Sequence, residues 1–206
     1  MKSLLFHILL LSLVPVCITG CLSRSPKVPI HLYSLEGSWV VPETAKKLPP
    51  LSLGVYGFDS PSSIESRMLY RISDVEVGYY DYDRWVDPPG EIVTGAFVKG
   101  LSGSGLFSRV LRAEKFPQSS FSWILTGSLE RFEEDHTTDP AAAHIRVRLE
   151  MYQADSYSRI WQKSLSAREA LQGDSAVDLV RAMDKALGRI LIQAKSEMEQ
   201  ILTEKN

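Results

Sequence analysis

Apolar and polar positions along this chain fall into three patterns, and each predicts a different kind of element. From Leu4 to Ile18 the residues are apolar almost without a break, with His7 and Ser12 the polar interruptions. Beyond residue 50 the pattern alternates. Leu51, Leu53 and Val55 share one side of Leu51–Phe58, which predicts a strand with one buried face. Arg67–Ile72 and Val75–Tyr80 read as two strands of a hairpin turning at Ser73-Asp74, and Leu106–Leu111 as another strand. Phe121–Phe132 alternates over much of its length. His144–Met151 alternates throughout, with Ile145, Val147, Leu149 and Met151 inward and Arg146, Arg148 and Glu150 outward. Arg159–Ala167 returns as its partner after a turn at Ser156.

The third pattern is helical. Asp87-Pro88-Pro89 is an entry signal, because a proline in the first turn gives up an N–H that needs no partner there. Ile92, Phe97, Val98 and Leu101 follow at helical spacing, and Gly103-Ser-Gly105 ends the run. Asp174 or Ser175 caps a long helix whose apolar positions, from Val180 and Met183 through Leu187, Ile190, Leu191 and Ala194 to Met198, Ile201 and Leu202, make one stripe. The stripe reads as core, with its end beyond Ser196 the part left open to project and meet a partner. A short strand at His31–Leu35 and a proline-bearing surface loop over 36–50 precede all of this. The expected fold is α/β: a mixed, largely antiparallel sheet with helices packed on one face, in a single domain spanning residues 32–206.

The opening apolar run has another meaning. One positive charge at Lys2, a short apolar stretch and then Ile18-Thr19-Gly20-Cys21 have the form of a secretory signal, too short for a comfortable membrane span. The last four residues resemble the bacterial lipobox. Residues 1–20 then read as a lipoprotein signal peptide and Cys21 as the lipid acceptor. Residues 21–31 read as the lipidated N-terminus and a polar linker. Cys17 leaves with the signal, so Cys21 is the one cysteine of the mature chain and no internal disulfide can form. Two or three acyl chains on one residue hold far more firmly than the single chain that binds reversibly. Leu22-Ser23 after the cysteine, in place of an aspartate, points to the outer membrane, on its periplasmic side.

Charge and chemistry narrow the function mainly by exclusion. Loss of residues 1–20 removes Lys2 and no acid, so the formal charge moves from −2 to −3, which disfavours a nucleic-acid partner. No Gly-rich phosphate loop and no Gly-x-Ser-x-Gly elbow occurs. Glu133-Glu-Asp-His136 with Asp139 could be drawn as a metal cluster, but its place between two strands and beside Pro140 reads better as a solvated hairpin loop. No metal, cofactor or catalytic residue is expected. One segment stands out: Gly78-Tyr-Tyr-Asp-Tyr-Asp-Arg-Trp85 packs four aromatics and three charges into eight residues. Tyr79, Tyr80, Tyr82, Arg84 and Trp85 are candidates for a partner-binding surface, since Tyr, Trp and Arg dominate binding hot spots. The alternative is a strand-to-helix junction whose aromatics plug the edge of the core.

Several of these segments together carry a resemblance. Tyr33-Ser-Leu35, Leu51-Ser-Leu-Gly-Val55, Met68–Tyr80, Arg84-Trp-Val-Asp-Pro-Pro89, Ser104–Val110 and Leu125–Phe132, in this order behind a lipobox, resemble the ABC-type transport auxiliary lipoproteins. That resemblance implies a non-enzymatic component of an MCE-type transport system moving lipids or other hydrophobic molecules between inner and outer membranes. It implies as partners an MCE-domain protein and an ABC permease and ATPase complex, and leaves a homo-oligomer open. The chain departs from many relatives in lacking an aromatic in its last helix, so no contact made there is carried over. A structural or regulatory lipoprotein serving an envelope enzyme or an outer-membrane assembly complex is the second reading, and an unfamiliar hydrolase the third.

Overall fold

The computed structural model describes residues 28–37, 39–44 and 50–204, so Cys21 and most of its linker lie outside the described residues. Eight strands form one mixed sheet. They are β1 (His31–Tyr33), β2 (Ser52–Val55), β3 (Arg67–Arg71), β4 (Val77–Trp85), β5 (Arg109–Arg112), β6 (Trp123–Asp135), β7 (Ala142–Gln153) and β8 (Arg159–Ala170). Two helices, α1 (Pro89–Ser102) and α2 (Ala176–Glu204), pack on it. The antiparallel pairings β6–β7, β7–β8 and β3–β4 include the two longest. Parallel pairings β1–β4, β2–β5, β2–β6 and β3–β6 are short.

The long strand β6 organises the sheet. One edge carries β7 along its length. Its other edge is forked: Trp123–Leu125 pair with β2, and Glu133–Asp135 pair with β3. Between the two arms the backbone of β6 still needs partners. It finds them in the loop after β2, where Asp59 N–H donates to Gly127 O at 3.0 Å and Leu129 N–H to Asp59 O at 2.7 Å. Phe58 fills the cleft of the fork. Its ring stacks on Phe97 of α1 at 5.0 Å and lies over Gly127, where a Cβ would come within 2.5 Å of that ring and 2.7 Å of Arg148 O. Only glycine fits at 127.

The predicted faces hold. Ile145, Val147, Leu149 and Met151 of β7 meet α2 residues Leu179, Met183, Leu187, Ile190 and Leu191 in one continuous core. Ser175 caps α2: its Oγ accepts from Asp178 N–H at 3.2 Å while Ser175 N–H donates to the Asp178 carboxylate. The helices approach closely at Gly100, where an added Cβ would lie 3.1 Å from Leu191.

Four expectations need correction. The strand expected over 106–111 is Arg109–Arg112, because Leu106 and Phe107 turn into the core before pairing begins. The strand expected over His31–Leu35 stops at Tyr33, where its pairing with β4 ends. The end of α2 does not project: Met198 and Leu202 are fully buried in the main core. Glu133, Glu134 and Asp135 are not a solvated loop but the buried end of β6, held there by pairing with β3 on one side and β7 on the other.

Candidate functional site

The aromatic segment is strand throughout, since β4 runs from Val77 to Trp85. Its register against β3 passes from Leu69↔Tyr79 to Arg67↔Arg84, so Tyr80–Asp83 form a wide bulge. A bulge leaves carbonyls off the ladder, and Arg84 meets them. Its guanidinium donates to Tyr80 O at 2.7 Å, Asp83 O at 2.8 Å and Asp81 O at 2.8 Å. On the far edge β1 pairs in parallel, setting His31 Nδ1 3.2 Å from Asp83 Oδ1.

The five candidate residues therefore do different things. Trp85 is 2% exposed and packs edge-to-face on Phe132 at 5.2 Å, so it is core. Its backbone is held on both sides, paired with Tyr33 of β1 and donating to Ser66 O before β3. Tyr80 is half-buried and donates to a Glu134 carboxylate oxygen; burial first, and that bond second, push its hydroxyl well above the usual range. Arg84 is occupied with the bulge. Tyr79 donates to Ser63 O at 3.0 Å and carries Arg67 over its ring at 4.3 Å. Tyr82 alone of the five is classed as exposed, at 45%. The structure thus bonds Arg84 to Tyr80, holds Tyr79 separately on Ser63 and Arg67, and leaves Tyr82 at the surface.

Beside this unit lies an ionic cluster that sequence reading placed in solvent. Glu133 accepts from Arg71 at 2.7 and 3.1 Å and also pairs with Arg131. Burial would raise its carboxyl, yet the two guanidinium groups outweigh that and hold it below the ordinary range. Asp135 is likewise held low against its burial by Thr137 and by Arg168, 3.0 Å away. His144, 1% exposed, bonds Ser166 Oγ at 3.0 Å through Nε2, and its Nδ1 lies 3.7 Å from Asp135 Oδ2. Burial, with Arg168 and Arg131 nearby, lowers its pKa to about 4, so the ring is neutral. Three guanidinium groups among these carboxylates make the cluster an ion-pair network. Among the described residues no group of His, Cys, Asp and Glu is placed to hold a metal.

A third feature flanks β1. The segment after β1 is strapped to α2, where Gly37 N–H donates to Asp184 Oδ1 at 3.2 Å and Trp39 Nε1 to Asp184 O at 2.9 Å. Burial raises the Asp184 carboxyl. On either side of this strap is an open groove. One, of about 520 Å³, lies against the start of α2 and is lined by Tyr33, Glu36, Val177, Arg181 and Lys185 among others. The other, of about 270 Å³, lies against α1. Nothing in the hydrophobic pattern could have shown them, because they arise where a loop crosses two helices.

Comparison with known proteins agrees with this architecture. A Xanthomonas campestris protein of the DUF330 family superposes with a TM-score of 0.73 at 16% identity, covering 85% of this chain and 98% of its own. A second solved structure, of an uncharacterised protein, gives a TM-score of 0.66 at 15% identity over 83% of this chain and 99% of its own. A hypothetical protein of Chlamydia trachomatis gives 0.51 at 9% identity over 75% and 98%. At such identities the likeness concerns the fold. No curated protein sequence matches. Among the described residues no helix is long and apolar enough to cross a membrane. The model of the ABC-type transport auxiliary lipoprotein component matches residues 33–194, and the chain belongs to that family.

Proposed function

We propose that this chain is an outer-membrane lipoprotein, anchored through Cys21 on the periplasmic side, that serves an MCE-type transport system without catalysing a reaction itself. The carrying observation is the family match over residues 33–194. The lipobox-like run ending at Cys21 supports the anchor. An ABC permease and ATPase would supply the energy, an MCE-domain protein would bridge the periplasm, and lipids or other hydrophobic molecules would be the cargo. The β4 bulge is the proposed contact surface. Tyr82 offers an exposed aromatic on backbone that Arg84 already fixes, so little ordering entropy remains to be lost on binding. Tyr79, Tyr80 and Arg84 shape that surface, and Trp85 supports it from beneath.

A photo-crosslinking residue at position 82, used in intact cells with mass spectrometry of the adducts, tests this reading. Recovery of an MCE-domain protein is expected. Recovery of only an envelope enzyme or an assembly factor would move the chain to the class of structural or regulatory lipoproteins.

A further inference from the structure

The β3–β4 hairpin ends in an exposed apolar tip. Ile72, Val75 and Val77 are all exposed, and Val75 reaches 93%. Ser73, Asp74 and Glu76 supply the ordinary polar turn chemistry, and the three aliphatic side chains stand exposed among them. Here the backbone of the turn is closed on itself. Ile72 N–H donates to Glu76 O at 3.0 Å, and Glu76 N–H to Ser73 Oγ at 3.1 Å. Arg71 Nη1 donates to Asp74 O at 3.2 Å, while Glu133 holds the same guanidinium from behind. The tip therefore presents apolar side chains with several of its polar backbone groups already satisfied, which lowers the cost of moving it out of bulk water.

Strand direction says what lies in front of that tip. β1 pairs with β4 in parallel, His31 with Asp83 and Tyr33 with Trp85, so the chain enters β1 from the hairpin end. His31 opens β1 opposite Asp83, and Val75 lies eight residue steps before Asp83, so at most about 27 Å farther toward the entering chain. The ten residue steps from His31 back to Cys21 can reach about 35 Å. An anchor on Cys21 can therefore reach the level of the tip. Val28 and Ile30, on the chain entering β1, are exposed as well.

We propose that the β3–β4 tip, through Ile72, Val75 and Val77, seats in the headgroup layer of the bilayer that holds the Cys21 anchor. This rests on the anchor reading above. It gives the domain a fixed orientation, with the β7–β8 turn at Tyr157 facing away, about 40 Å off along the thirteen residues of β6. Asp74 and Glu76 beside the tip favour a zwitterionic surface over an anionic one.

The test uses the full chain, processed and lipidated in cells, in vesicles of phosphatidylethanolamine and phosphatidylcholine. A Val75→Cys variant carries an environment-sensitive fluorophore, Tyr157→Cys carries the same label as the distant reference, and nitroxide headgroup lipids act as quencher. Loss of intensity at 75 with none at 157 is expected. No loss at either position, or loss at 157, overturns the orientation while leaving the anchor intact. Mass spectrometry of the N-terminal peptide decides the anchor separately: an unlipidated Cys21 overturns both.

Discussion

At the scale of single residues, His144 is the most informative side chain. A histidine so deeply enclosed, beside Arg131 and Arg168 and facing Glu133 and Asp135, is neutral with a pKa of about 4. The unfolded chain binds a proton near pH 6.5, and the native state refuses it. Stability from this residue is therefore complete above pH 6.5 and falls as pH drops toward 4, by on the order of 3 kcal/mol over that window. Glu133 and Asp135, both held low, add their loss at still lower pH, below the ordinary carboxylate range. A His144→Gln variant, measured by urea unfolding at a series of pH values, should be less stable than the parent at pH 7.5 but lose less between pH 6.5 and 4. Equal slopes in parent and variant would show that His144 titrates like a free histidine. Nothing in the alternation of β7 marks it: His144 falls on the face that carries Arg146 and Arg148, and its burial comes from Arg168 and Ser166, on a strand whose register no local pattern records.

At the scale of elements, the sequence was legible where a residue's environment depends on its neighbours along the chain. The β3–β4 hairpin, the proline entry and glycine exit of α1, the Ser175 cap and the faces of β7 all follow from local spacing. The fork of β6 was not legible, because alternation fixes which side of a strand is buried and not which strand lies beside it. One misreading follows from that: the carboxylates at the end of β6 look like a loop until β3 covers their edge. Trp85, legible either as a binding aromatic or as a plug at the core edge, is the latter, packed on Phe132. Trp85→Ala should then cost about 3–5 kcal/mol, as for other large core aromatics. The folded fraction should still be captured by the partner proposed to meet Tyr82. Thermal unfolding alongside a binding assay at low temperature separates the two effects, and an unchanged melting temperature with lost capture would return Trp85 to the binding surface.

At the scale of the whole molecule, one core ties the first described strands to the last helix. α2 is 29 residues long, about 43 Å at helical rise, and crosses the sheet from the hairpin end to the far end. Its final turns bury Met198 and Leu202 in the same core as Leu53, Phe97 and Val110, and Thr44, in the loop between β1 and β2, donates to Glu199. The last helical turn is therefore joined to the first strands by packing, although its sequence end-on is polar. Total stability of a domain this size is about 5–15 kcal/mol. Leu202→Ala should remove about 2–5 kcal/mol of it, the ordinary cost of emptying an aliphatic core position. Because no separate core serves that end, the loss should appear as one cooperative urea transition at a lower midpoint, read alike by far-ultraviolet circular dichroism and by tryptophan fluorescence. A helix end that only met a partner would behave differently: the midpoint would stay, or a small early transition would precede the main one, and partner capture would fall. A single shifted transition would place the terminal turns in the scaffold beneath the β4 bulge, since Met198, Leu202 and Trp85 share one core.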